Sequence, residues 1–282
     1  MNKLSDEKRA MILKALVEGN SMRATARLTG TSKNTVSRLL KNVGTYCMDQ
    51  HDALVRGVES GRVQCDEIWS FCGAKEVNVP EDEKRQGRGD VWTWTALCQD
   101  SKLMIAYRVG CRSAATGVPF MQDLADRLVN RVHLSTDGHS VYPRAVERAF
   151  GWGGADYGVA VKVYGQSSEG QRRYSPAVCL GCDKTRVMGQ PNMDETCTSH
   201  VERSNLTLRM HSRRFTRLTN AFSKKVEFHR YAVALHFMYY NFCKPHMTLT
   251  KEKGGIKTTP AKAAGLTDRV WKIEELLPPN FV

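Results

Sequence analysis

Apolar and polar positions recur along this chain with two different periods, and the switches between them outline its elements. Between residues 5 and 19, Ile12, Leu13, Leu16 and Val17 form a stripe at helical spacing, with Ser5 where an N-cap belongs and Gly19 ending the run. A short helix is predicted over Met22 to Leu28, with a turn at Gly30. Ser32 to Val43 then turns Val36, Leu39, Leu40 and Val43 inward and Lys33, Asn34, Ser37, Arg38 and Lys41 outward. From Gly44 to Gly61 the pattern weakens, so this stretch reads as a connector, with room for a helix around Cys47 to Val55. Arg62 to Cys72, RVQCDEIWSFC, is dense enough in apolar residues for a strand buried on both faces, interrupted by Asp66 and Glu67.

Beyond a polar loop over residues 73–90, the period is strand-like at Val91 to Cys98 and Leu103 to Val109, a hairpin across Gln99 to Lys102. Ala114 to Asn130 is helical through Val118, Met121, Leu124 and Leu128. Val132 to Thr136 is a strand that stops at Asp137-Gly138, Ser140 to Phe150 a helix, and Tyr157 to Tyr164 a strand alternating Val159, Val161 and Val163. Residues 165–198 look like an irregular insertion. A helix follows with Glu202 near its start, then another over Val226 to Phe242. A short helix at Pro260 to Leu266 and a terminal stretch that packs Trp271 complete the chain.

This order of hairpin meander, helix, strand, helix, strand and long helix is that of the ribonuclease H-like fold. The expected class is therefore α/β: a mixed five-stranded sheet with flanking helices over 62–245, with the insertion at 165–198. An all-α helix-turn-helix unit over 1–45 precedes it, a connector over 46–61 joins the two, and a tail over 246–282 packs on the core. In that fold Asp66 lies on the first strand, Asp137 follows the fourth and Glu202 begins the helix after the fifth, so three carboxylates converge. Adjacent strand residues face opposite ways, which predicts that Asp66 and Glu67 do not share a site. Blander readings stand beside these: Asp137-Gly138 is a common turn, and Ser199 with Glu202 fits a capping box.

Charge sharpens the picture. The net charge is +13. Residues 1–43 hold nine Lys/Arg against Asp6, Glu7 and Glu18, residues 203–230 hold eight against Glu227, and the rest of the chain sums to zero. Two basic blocks in a neutral background predict two surfaces on nucleic acid. Lys33, Asn34, Thr35 and Arg38 are placed to meet DNA from the third helix. Arg209 lies seven residues after Glu202, two helical turns on, where it can clamp a phosphate, and Arg213, Arg214 and Arg217 can track the backbone. A charged N-terminus and the lack of a long apolar run predict a cytoplasmic, nucleoid-associated protein with no membrane partner.

Carboxylates of this kind suit hard ions, magnesium or manganese, which serve in-line phosphodiester chemistry. His139 and His200 lie near the proposed ligands, though partly exposed structural histidines read as easily. The nine cysteines are odd in number and scattered, as expected of reduced thiols. Cys179, Cys182, Cys197 and His200 have spacing that allows a zinc site, but the second half is not a standard knuckle and the cysteines elsewhere look like core.

The stretches CDEIWSF, VWTWTALCQDSKLMIAYRVG, STDGH and the long TSHVERSNLTLRMHSRRFTRLTNAFSKKVEFHRYAVALHFMYYNFCKPH resemble the DDE transposases of bacterial insertion sequences, in the group around the smallest such element. The resemblance covers about residues 62–266. It implies that Asp66, Asp137 and Glu202 bind two magnesium ions, that Arg209 contacts the transposon end, that the N-terminal helices read terminal inverted repeats, and that the protein works as a homo-oligomer on paired DNA ends. Some relatives carry a zinc-finger segment ahead of the helix-turn-helix, and end recognition is expected to differ here. Two rivals remain. A tyrosine recombinase would use His229-Arg230-Tyr231 or Tyr239-Tyr240, and a regulator would keep the DNA-binding unit on a body that no longer cuts.

Overall fold

The computed structural model describes residues 4–84, 87–165, 178–216 and 219–279. Three helices open the chain: α1 (Asp6–Val17), α2 (Met22–Leu28) and α3 (Lys33–Leu54). Each begins with a serine whose hydroxyl accepts a backbone N–H of the first turn, Ser5 from Lys8, Ser21 from Ala24 and Ser32 from Thr35. The third helix does not stop at Val43. It runs on through the expected connector and buries Cys47 and His51. Gly44, which reads as a helix breaker, is instead a contact point: a Cβ there would lie 2.3 Å from Cβ of Tyr231 on α8 (Val226–Met238) and 2.6 Å from its Cα. Only a glycine lets the two helix backbones approach so closely.

The sheet has six strands: β1 (Arg62–Cys72), β2 (Gly89–Cys98), β3 (Met104–Gly110), β4 (Val132–Thr136), β5 (Ala155–Tyr164) and β6 (Cys179–Met188). Their spatial order is β3-β2-β1-β4-β5-β6. The β1-β2-β3 meander and the β5-β6 pair are antiparallel, whereas β4 runs parallel to both β1 and β5. Five strands were expected, and β6 is the correction, arising from the stretch read as irregular. All of its residues except Met188 are exposed. It therefore shows no period of burial and is held by its backbone ladder on β5.

Helices α5 (Ala114–Arg127) and α6 (Tyr142–Phe150) lie against one face of the sheet, α7 (Ser199–His211) and α8 against the other. Alternation along β1 assigns the faces. Val63 and Cys65 join Trp94, Phe120, Tyr142 and Tyr157 in a buried cluster that continues into Ile12, Leu13, Val36 and Leu39 of the N-terminal helices. Ile68 and Cys72 join Val201, Leu208, Val233 and Phe237 on the α7–α8 side. The π-helical turn Tyr239–Cys243 carries α8 on to Phe242, whose ring meets Trp271 at 4.6 Å. Among the described residues no helix is long and apolar enough to cross a membrane.

Candidate active site

The register of the central strands creates the site. Parallel pairing of β1 with β4 runs Arg62 to His133, Val63 to Leu134 and Gln64 to Ser135, and β4 ends at Thr136. Past that point no described strand lies beside β1 on this side until Cys72 bridges to Ser223, and Asp66, Glu67 and Asp137 gather in the gap. One carboxylate oxygen from each lies within 4.8 Å of the others. The expectation that Glu67 is excluded by strand alternation is thus corrected. Its side chain alternates to the opposite face and stays buried without lining the cleft, but with β4 ended at Thr136 one of its oxygens comes within 4.8 Å of those of Asp66 and Asp137.

Asp66 is held from the α7 side. Its Oδ2 accepts from Asn205 Nδ2 at 2.8 Å, while the Thr95 hydroxyl donates to its backbone carbonyl at 3.0 Å. Gln64, two residues earlier on the same face, positions the helix itself: its Oε1 accepts the backbone N–H groups of His200 at 2.9 Å and Val201 at 3.1 Å. Two of the four amides that every helix start leaves unpaired are satisfied by the strand that carries Asp66. The proposed capping box does not form. Thr198 is the N-cap, Ser199 lies inside the helix, and Glu202 Oε1 accepts the Thr198 hydroxyl at 2.7 Å.

Asp66, Asp137 and Glu202 line one cleft of about 640 Å³. Glu202 stands apart from the tight acidic group and pairs with Lys162 of β5. On the other wall, the Arg112 guanidinium lies 3.4 Å from Glu67 and 3.9 Å from Asp137 and stacks 4.6 Å above the Trp92 ring. Sequence reasoning missed both cations, because neither lies near an acid in the chain. Burial, reinforced by the Asp137 charge, pushes Asp66 up to about 6 and Glu67 up to about 7. A cation among these three carboxylates would favour their ionised forms. The Tyr142 hydroxyl lies beside the buried Glu67 carboxyl and partly offsets the rise.

His139 also lines the cleft. Its backbone N–H donates to Asp137 at 3.0 Å, its ring lies 5.5 Å from Trp94, and its Nε2 is buried without a partner. His200 instead faces Lys102, 3.2 Å from its ammonium. The remaining candidates divide. Arg209 is half-buried on α7 and does not line the cleft, since seven helical residues carry it about 10 Å along the axis. Arg213 is exposed in the turn after α7. Arg214, expected to track a DNA backbone from the surface, turns inward and donates to Ser223 Oγ at 2.9 Å and Met22 Sδ at 3.5 Å. Arg217 lies outside the described residues. Lys33, Asn34 and Arg38 are exposed on α3, while the Thr35 hydroxyl is engaged with Ser32 at 2.9 Å.

Cys179 and Cys182 are exposed on β6, Cys197 accepts from Gln64 and His200 is with Lys102, so the described residues do not bring the zinc quartet together. The recombinase tyrosines fare likewise. His229 is buried between Ser70 and Ser223, the Tyr240 hydroxyl donates to the Lys102 carbonyl, and none of the candidates lines the cleft.

No protein-family model matches the chain, and no curated protein matches it in sequence. Among solved structures it is similar to a piggyBac transposase in a synaptic complex with hairpin DNA. The TM-score is 0.46 at 10% identity, covering 100% of this chain and 74% of that one. A likeness at that level carries no weight for function, which rests on the cleft itself.

Proposed function

We propose that this protein is an insertion-sequence transposase of the DDE class, with a ribonuclease H-like catalytic body and an N-terminal helix-turn-helix unit that reads the element's inverted repeats. The observation that carries this reading is the cleft. Three acids spaced 71 and 65 residues apart in sequence line one opening, and behind it the buried Glu67 brings a carboxylate oxygen within 4.8 Å of those of Asp66 and Asp137. The grouped donors are all oxygens with no thiol, which fits magnesium or manganese better than zinc.

Asp66, Asp137 and Glu202 would hold the metal. A divalent ion held there would supply Lewis-acid polarisation of the phosphodiester and a lower pKa for the attacking hydroxyl. The chain's own residues do the rest. Asn205 keeps Asp66 turned into the cleft and Thr198 fixes one oxygen of Glu202. Arg112 and Lys162 hold charge on opposite walls and are placed to take the non-bridging oxygens of a phosphate. Water or a DNA 3′-hydroxyl forms the new P–O bond as the bond to the leaving 3′-oxygen breaks. The protein would act in the bacterial cytoplasm, as a homo-oligomer on paired DNA ends.

Labelled duplexes carrying the inverted repeats beside the gene test this. Nicking and joining in magnesium should fall by on the order of 10²–10³ or more in each of Asp66→Asn, Asp137→Asn and Glu202→Gln, with end binding retained. Binding by the intact protein without cleavage in either metal, unchanged by those substitutions, would favour the regulator.

A further inference from the structure

The two basic blocks, expected to form separate nucleic-acid surfaces, face each other across one groove. It measures about 1000 Å³ and runs between the N-terminal helices and the segment joining α7 to α8. Arg23 and Lys33 line one wall, Arg213, Arg214, Lys224 and Lys225 the other. No Asp or Glu is among its described lining residues. Phe222 and Phe228 supply apolar surface, and the Lys224 ammonium rides 4.9 Å above the Phe222 ring.

Arg214 makes this more than a solvated basic face. It keeps some surface, yet burial pushes its guanidinium down to about 10. It donates to a serine hydroxyl and a thioether, and it pairs with no carboxylate among the described residues. A guanidinium withdrawn from water without a counter-charge is costly. An anion entering the groove would supply that charge, and only an extended one meets cations on both walls.

We propose that this groove binds the sugar-phosphate backbone of one strand of a DNA duplex, gripped by α2 and α3 on one side and by Arg213, Arg214, Lys224 and Lys225 on the other. The choice of DNA as the polyanion rests on the proposed function. The groove thereby joins the end-reading helices to the catalytic body through a shared phosphate track, so one strand is held by both parts at once. Contacts of this kind position a duplex without reading its sequence.

The test is binding of a fluorescent duplex by the full chain in EDTA, followed by anisotropy across a salt series. Lys33→Gln and Lys225→Gln, both at exposed positions, should each reduce the slope of log K against log salt by about 0.9, and the double variant by about twice that. Ser37→Glu, which places a carboxylate in the groove, should weaken binding about tenfold, while Lys33→Arg should keep the full slope. Lys253→Gln, outside the groove, should match the intact protein. Groove variants that keep the intact slope and affinity would overturn the proposal while leaving the strand-transfer reading standing. Groove-dependent binding by a protein that never cuts would do the opposite. A duplex that does not bind the intact chain at all would overturn the groove, and the cleavage assay would then judge the cleft alone.

Discussion

Burial and the neighbouring Asp137 carboxylate oppose ionisation of Asp66, and this sets how the metal-free protein should respond to pH. An acid whose pKa is raised by folding binds more protons folded than unfolded between its two values, so stability falls as pH rises through that interval. For Asp66 the interval runs from 3.8 to about 6, and for Glu67 from 4.5 to about 7. In EDTA the melting temperature should therefore fall from pH 4.5 to 7. Asp66→Asn should flatten part of that fall, by about 2 kcal/mol after allowance for its partial exposure. Manganese should raise the melting temperature of the intact protein at pH 7.5 and leave the variant nearly unmoved, as binding to the folded state alone requires. Identical pH profiles for the two proteins would show that Asp66 is not strained. At this scale the acids were legible because Asp66 interrupts an apolar strand, Asp137 follows a strand end and Glu202 lies near a helix start. Arg112 and Lys162 were not, since an ion pair across elements leaves no trace in local spacing.

Among the elements, Gln64 and Gly44 matter beyond their own strand and helix. Gln64→Leu removes the acceptor for two amides of α7 and should destabilise the protein by about 2 kcal/mol. It should also slow strand cleavage, because Glu202 rides on the helix that loses its anchor. Urea unfolding and the nicking assay check both, and a stability loss with full activity would separate the anchor from the chemistry. Gly44→Ala places a methyl group 2.6 Å from the Tyr231 Cα, so α3 and α8 must move apart, at about 1–3 kcal/mol. An unchanged midpoint in the same titration would show that the crossing is looser than drawn. Gly44 also shows why a boundary was misread. A glycine inside a helix and one that ends it look alike until the packing partner is known. β6 was missed for a related reason, as an exposed edge strand has no buried face to impose a period.

For the whole molecule, one buried cluster runs from Ile12 and Leu13 through Val36 and Leu39 to Trp94 and Tyr157. The N-terminal helices should therefore unfold with the sheet. All five tryptophans lie outside α1 to α3, at positions 69, 92, 94, 152 and 271, whereas far-ultraviolet circular dichroism weights every helix. Coincident denaturation curves from the two probes would bear out this coupling, and a separate early loss of helix signal would break it.

By itself the sequence determined the order and type of most elements, because burial imposes a period of 3.6 on helices and of 2 on strands. It also marked two basic blocks and the acids that interrupt a strand, follow one or open a helix, where side-chain chemistry is local. Only the tertiary structure decided what meets what. Glu67 joins Asp66 because β4 stops at Thr136, Lys162 reaches Glu202 across the sheet edge, and Arg214 turns inward to Ser223. The two basic blocks, one ending at residue 43 and the other beginning at residue 203, become the walls of one groove. Such pairings depend on register and helix approach, which are set by packing over the whole chain and have no local signature.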